Sequence, residues 1–231
     1  MHPTLTEQTF TLFSCKQLGV GDDDYYLTQD MQIRCYTPEH NAWMIALGIP
    51  MLAVYVFGIP FLVFYLLHKF QRRLNEPEVK RRLFFLYTGY EREWWFWEVL
   101  VAVRKLMLVA VTVFWQYSVQ LQAHAGLMLI VVSLALHIHA KPFLDDRADL
   151  LEFLSLAVSF TTFFFGLILW VPAVTEFQQV VISVLIFLSN AVFVGYALRM
   201  VYNTAKVDLR DRCVRRAGRL LLLLASVCAR G

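Results

Sequence analysis

Asp145-Asp146-Arg147-Ala148-Asp149 follows a D-D-x-x-D pattern. Carboxylates at that spacing can hold Mg²⁺ against a diphosphate, the chemistry of membrane prenyltransferases. Those enzymes carry a second acidic motif on another span, and no second motif is present. An acidic cap explains the run better, because Asp149 and Glu152 would sit near a helix N-terminus where negative charge is favoured. His137 and His139 flank Ile138. On a helix that spacing puts the rings on different faces, which argues against a shared metal. The expectation is therefore no catalytic residue, no metal and no cofactor. Asp22-Asp23-Asp24 reads as a solvated turn after Gly21.

Glu98, Arg104 and Lys105 lie inside an otherwise apolar stretch preceded by Trp94, Trp95 and Trp97. Charges at membrane depth face the protein interior or water, or reach headgroups by snorkelling. Glu98 and Lys105 are about two helical turns apart on one face, and Arg104 points elsewhere. The expected roles are an intramembrane charge network or contact with lipid phosphate. A second set, Glu152, Ser155, Ser159, Thr162 and Gly166, recurs at steps of three and four. Small and hydroxylated residues at that period form a packing face between membrane helices, with a pore lining as the sharper alternative. Ser189 and Asn190 read as interhelical glue.

The elements that carry these residues follow from composition. Hydrophobic residues make up 58% of the chain and charged residues 17%. Soluble domains have about 45–50% apolar and roughly 25% charged residues, so a water-soluble core is excluded. Spanning helices need about 20 mostly apolar residues. Residues 43–67, 96–115, 121–140, 150–171 and 180–198 qualify, the second least well because of its charges. The run 220–227 is too short to cross and reads as an interfacial or core helix. The predicted fold is an all-α polytopic bundle of about five transmembrane spans. Residues 1–42 form an extracytoplasmic segment and 200–231 a basic cytoplasmic tail.

Orientation follows from Lys and Arg, which favour the cytoplasmic side. Lys69, Arg72, Arg73, Lys80, Arg81, Arg82 and Arg92 fall between spans one and two. Lys141 and Arg147 fall between three and four, and Arg199 begins a basic run after span five. The turns near residues 116–120 and 172–179 have no Lys or Arg. This puts the N-terminus outside. Cys15 and Cys35 then lie in an oxidising compartment that permits a disulfide, with two unpaired thiols as the alternative. Cys213 and Cys228 fall in the tail as free thiols. Pro50 and Pro60 each follow a Gly-Ile pair and must disturb the first span, freeing the carbonyls of Ala46 and Val56. A fixed kink is the simpler reading and a movable one the sharper.

Residues 82–105, with Phe85-Leu86-Tyr87, Gly89-Tyr90, Trp97-Glu98 and Arg104-Lys105, resemble a signature of large multi-pass proteins of algae, oomycetes and ciliates. These are described as having a transient receptor potential-like C-terminal domain. Gln120, Lys141-Pro142-Phe143, Leu151-Glu152 and Ser155-Leu156 fit the same pattern, as do Cys15, residues 25–30 and Cys35 upstream. The resemblance covers about residues 10–200. It departs at Phe84, where that family has a small residue. It implies a cation channel-like module, carried in such proteins behind long cysteine-rich repeats, so this chain reads as a truncated gene model or the end of a larger protein. No selectivity-filter sequence or ladder of regularly spaced Arg accompanies it.

The leading reading is a channel-like or sensory transmembrane module of a larger receptor-like protein. It sits in the plasma membrane or another secretory-pathway membrane. The alternative is a non-conducting anchor or scaffold for an external domain. A prenyltransferase-like enzyme is a distant third. The expected partners are the bilayer, anionic lipids at the cytoplasmic face and a second copy of the chain. Nothing points to nucleic acid.

Overall fold

A computed structural model describes residues 2–18, 25–73, 76–87 and 89–228. Side chains are described up to Lys206, apart from positions 2, 3, 77 and 80. The expectations for Asp22–Asp24 and for the side chains of Cys213, Cys228 and residues 220–227 lie outside the described residues. The chain divides into two units, Met1–Ala173 and Val174–Gly231.

The first unit opens with helix α1 (His2–Thr11), then two short antiparallel strands, β1 (Cys15–Gln17) and β2 (Tyr25–Leu27). Cys15 pairs with Leu27 in register, and a disulfide joins Cys15 to Cys35 across 6.3 Å between Cα atoms. A long helix, α2 (Pro38–Phe70), begins where Thr37 accepts a bond from the His40 N–H and Pro38 occupies the first turn. Both are helix-start signals, and they carry the helix five residues upstream of the apolar run. Then come α3 (Pro77–Tyr87), α4 (Trp97–Phe114), α5 (Val119–Ala140) and α6 (Asp146–Leu169). The second unit is one helix, α7 (Glu176–Cys228), which contains the fifth expected span.

Four helices are long and apolar enough to cross a membrane: α2, α5, α6 and residues Glu176–Lys206 of α7. The second expected span, residues 96–115, coincides with α4, an 18-residue helix that carries Glu98, Arg104 and Lys105 and is not among those four. Those charges set it apart from the other four.

The Gly-Ile-Pro repeats in α2 have a defined consequence. The helix widens to π geometry over Met44–Gly48 and again over Leu52–Gly58, each stretch ending two residues before a proline. The Ile49 N–H bonds to the Met44 carbonyl, five residues back. A π-turn gives room for the proline ring and shifts the ladder past the missing N–H. Glycine is needed at the second site, because a Cβ on Gly58 would lie 2.6 Å from the Ala53 carbonyl oxygen.

Within the first unit α4 is central. It packs against α1, α2, α3 and α5, and α5 packs along α6. Gly126 on α5 lets the Phe163 ring approach, since a Cβ there would sit 2.9 Å from it. Such close approach is how helices gain packing energy in lipid.

Candidate functional site

Polar side chains gather at the two ends of α4. At its N-terminal end, two loops zip together. Leu144 donates its N–H to the Gly89 carbonyl at 2.9 Å, and Glu91 donates to the Pro142 carbonyl at 2.8 Å. Gly89 supplies a φ of 118°, a conformation side-chain-bearing residues rarely adopt. This clamp stacks Tyr90 against Phe143, with ring centroids 4.9 Å apart.

The Tyr90 hydroxyl then donates to Glu98 at 2.7 Å. Burial, reinforced by the Glu98 carboxylate, pushes the Tyr90 phenol above its ordinary range, so it remains neutral and a donor. Glu98 itself occupies the first turn of α4, where the helix dipole favours a carboxylate. Further along α4, Arg104 Nη2 lies 2.6 Å from Glu152 Oε1 on α6, with both side chains about four-fifths buried (18% and 22% exposed). Arg104 and Glu152 thus tie α4 to α6 across 48 positions of sequence.

His137 Nε2 lies 3.0 Å from the Asp149 carbonyl oxygen, and the ring is buried. In the tautomer that donates from Nε2, Nδ1 is left as an acceptor with no partner among the described residues. The Trp97 indole N–H is also buried without a partner there, with its ring 6.2 Å from that of His137.

The D-D-x-x-D carboxylates do separate jobs. Asp145 caps α6 by accepting from the Arg147 N–H at 3.0 Å, and Asp149 accepts from the Phe143 N–H at 3.3 Å. His139 is exposed while His137 is buried. Among the described residues, the one convergence of three Cys, His or carboxylate groups is Cys15, Cys35 and His40, and the disulfide uses its two sulfurs.

The hydroxyls of the α6 stripe bond along their own helix. Ser155 donates to the Glu152 carbonyl and Ser159 to the Ser155 carbonyl, both at 2.8 Å on their own helix. Thr162 bonds the Val158 carbonyl at 2.8 Å. Gly166 is exposed, with open space where a Cβ would go. Glu152 reaches across to α4. On α7, Ser189 and Asn190 bond the Ile186 carbonyl at 2.9 Å. Pro50 and Pro60 sit beyond their π-turns, and Pro60 lines a cavity shared with Glu98 and Lys105.

The C-terminal end of α4 is bound to the cystine segment. Gln116 donates to Ser14 Oγ at 2.9 Å, Thr28 and Tyr117 share a 2.7 Å bond, and Lys16 lies over the Tyr117 ring at 4.7 Å. The cystine segment and the 115–118 turn therefore occupy the same end of the first unit, opposite the Tyr90–Phe143 clamp.

From that end α1 descends between α2 and α4. Its Phe10 is buried with Val56 and Val113 and lies 5.4 Å from the Phe114 ring. Thr6 is buried and lines the same cavity as Ile59, Pro60 and Val109. Counting about 1.5 Å per residue, Ile59 is about 12 Å from Leu67, and Val109 about 18 Å from Trp97. The other face of α1 exposes Thr4, Leu5, Glu7 and Gln8. Neither Glu7 nor Gln8 has a side-chain partner among the described residues. The sequence read residues 1–42 as an external segment and gave no sign that α1 packs against α2 and α4. The placement of α1 was invisible there because its mixed polar sequence has no apolar period.

Part of the chain is similar to Cysteine repeat modular protein A of Toxoplasma gondii, at 26% identity over 164 residues. The match takes in 65% of this chain and 5% of that protein's length. No family model matches the sequence. No solved structure matches it either.

Proposed function

We propose that this chain is the multi-pass membrane part of a larger protein and works as a channel-like module with its cystine segment outside. The observation that supports this is the exposed polar face of α1, a helix packed against α2 and α4, which this reading puts near mid-membrane depth. A carboxylate and an amide there, facing lipid, would cost several kcal/mol. Water in a vestibule open to the cystine side removes that cost, and Glu7 gives the vestibule a preference for cations. The Lys and Arg distribution supports the assignment of that side as external. The similarity to a protein named for cysteine repeats suits a membrane module attached to an extracellular array.

The anchor reading has its own support. The disulfide, the β1–β2 pair and the bonds from Ser14 and Thr28 to Gln116 and Tyr117 make a firm mount for an external domain. Cysteine substitution separates the two readings. Glu7→Cys and Gln8→Cys, made with Cys213 and Cys228 replaced by Ser, should react with a membrane-impermeant thiol reagent from the cystine side. The modification should also reduce cation flux in liposomes. Labelling without any flux leaves the anchor. Protection of both positions, with an exposed control at Gln32→Cys labelled, removes the vestibule.

A further inference from the structure

Below the tip of α1, a cavity of about 370 Å³ separates α2 from α4. That volume lies within the roughly 300–1,000 Å³ usual for small-ligand pockets. Its walls are apolar, formed by Ile59, Pro60 and Val63 on one side and Val99, Ala102 and Leu106 on the other. Two charges interrupt them, Glu98 and Lys105. Lys105 is exposed and makes no hydrogen bond or ion pair with any described residue. Glu98 uses Oε2 to accept from Tyr90, and Oε1 has no partner among the described residues. An ammonium this deep without a counter-charge needs an anion or water.

The order of the groups selects the ligand. Glu98 lies in the first turn of α4, Lys105 about 10 Å further into the layer, and Leu106 and Val109 beyond it. A phospholipid of the adjacent leaflet presents its groups in the matching order: headgroup amine, phosphate, acyl chain. We propose that this cavity seats the headgroup of one phosphatidylethanolamine, its ammonium on Glu98 and its phosphate on Lys105, with an acyl chain leaving along Val63 and Leu106. Phosphatidic acid would bring no cation to Glu98. Phosphatidylcholine has no N–H to donate to it. Free phosphate would leave the apolar walls without contact. The site is independent of whether the chain conducts.

The test uses the full chain, purified and delipidated, with native mass spectrometry of phosphatidylethanolamine, phosphatidylcholine and phosphatidic acid bearing the same acyl chains. Wild type should bind one phosphatidylethanolamine about tenfold or more tighter than either competitor, the value of one charge-assisted hydrogen bond. Glu98→Gln should erase that preference. Lys105→Met should weaken all three lipids, while Lys105→Arg retains them. Ala102→Phe should block the site with both charges intact. A diazirine on the acyl chain of phosphatidylethanolamine should label peptides containing Val63 or Leu106. Equal binding of the three lipids by wild type, unchanged affinity in Lys105→Met, or labelling elsewhere overturns the proposal. Should Lys105→Met fail to fold, Ala102→Phe and the cross-link decide it.

Discussion

Arg104 and Glu7 are both charges on helices packed among apolar neighbours, and the fold treats them differently. Arg104 is mostly buried, 2.6 Å from Glu152, with Tyr90 and Glu98 bonded nearby. Glu7 is exposed on a helix whose opposite face is packed, and nothing among the described residues meets it. A paired charge fixes the relation of two helices. An unpaired one requires solvent or a ligand. The lower part of α4 therefore reads as framework and the outer face of α1 as a surface that works. Lys105 belongs with Glu7 in this respect, although it neighbours Arg104 in sequence.

The comparison is broken most directly at Arg104. Arg104→Met leaves Glu152 mostly buried without its cation, and the expected loss is about 3 kcal/mol or more. The loss should show as a large fall in thermal stability in detergent. Adding Glu152→Leu should recover most of it, because removing both partners also removes the unpaired charge. If Arg104→Met is as stable as wild type, the pair is no clamp.

A smaller effect is expected at Tyr90. Tyr90→Phe removes one hydrogen bond to a carboxylate, worth about 1.5 kcal/mol. The phenol is raised by burial and by Glu98. A raised folded-state value means the contribution is complete below the ordinary tyrosine value of about 10. It is lost as pH rises through the raised folded-state value. Between about pH 6 and 9 the stability gap between wild type and Tyr90→Phe should therefore stay constant. A gap that changes across that range would mean a different group is titrating there.

Much of the framework was legible from sequence. The apolar runs mark α2, α5, α6 and the first part of α7, and the charges in α4 mark it as the exception. The carbonyls freed by Pro50 and Pro60 were identifiable because a proline always disturbs the residue four back. The π-turns that absorb the disturbance were not, since they depend on where Gly58 meets the Ala53 carbonyl. Nor was the Arg104–Glu152 pair, because a partner 48 positions away has no local signature. The regular period of Ser155, Ser159 and Thr162 suggested a shared face, and each hydroxyl also bonds a carbonyl of its own helix. Periodicity reports which residues share a face and leaves open what that face meets.

The smallest expected effect is the one that sharpens the comparison most. Glu7→Leu exchanges a charge for an apolar side chain on the exposed face of α1. If that face meets lipid, the charge is costly, and removing it should stabilise the protein by up to about 2.5–3.5 kcal/mol, less away from the layer centre. If that face meets water, the wild-type carboxylate is solvated. The substitution then exposes apolar surface and should shift stability by no more than about 0.5 kcal/mol. The aqueous reading predicts the small shift, with cation preference reduced in flux measurements. Thr6 provides the control, because it is buried against the cavity wall on the opposite face. Thr6→Gly removes that buried side chain and loosens the helix backbone, and should cost about 1 kcal/mol. A stabilised Glu7→Leu beside a destabilised Thr6→Gly would place α1 against lipid and remove the vestibule. A neutral Glu7→Leu beside the same control leaves water as the medium that Glu7 faces.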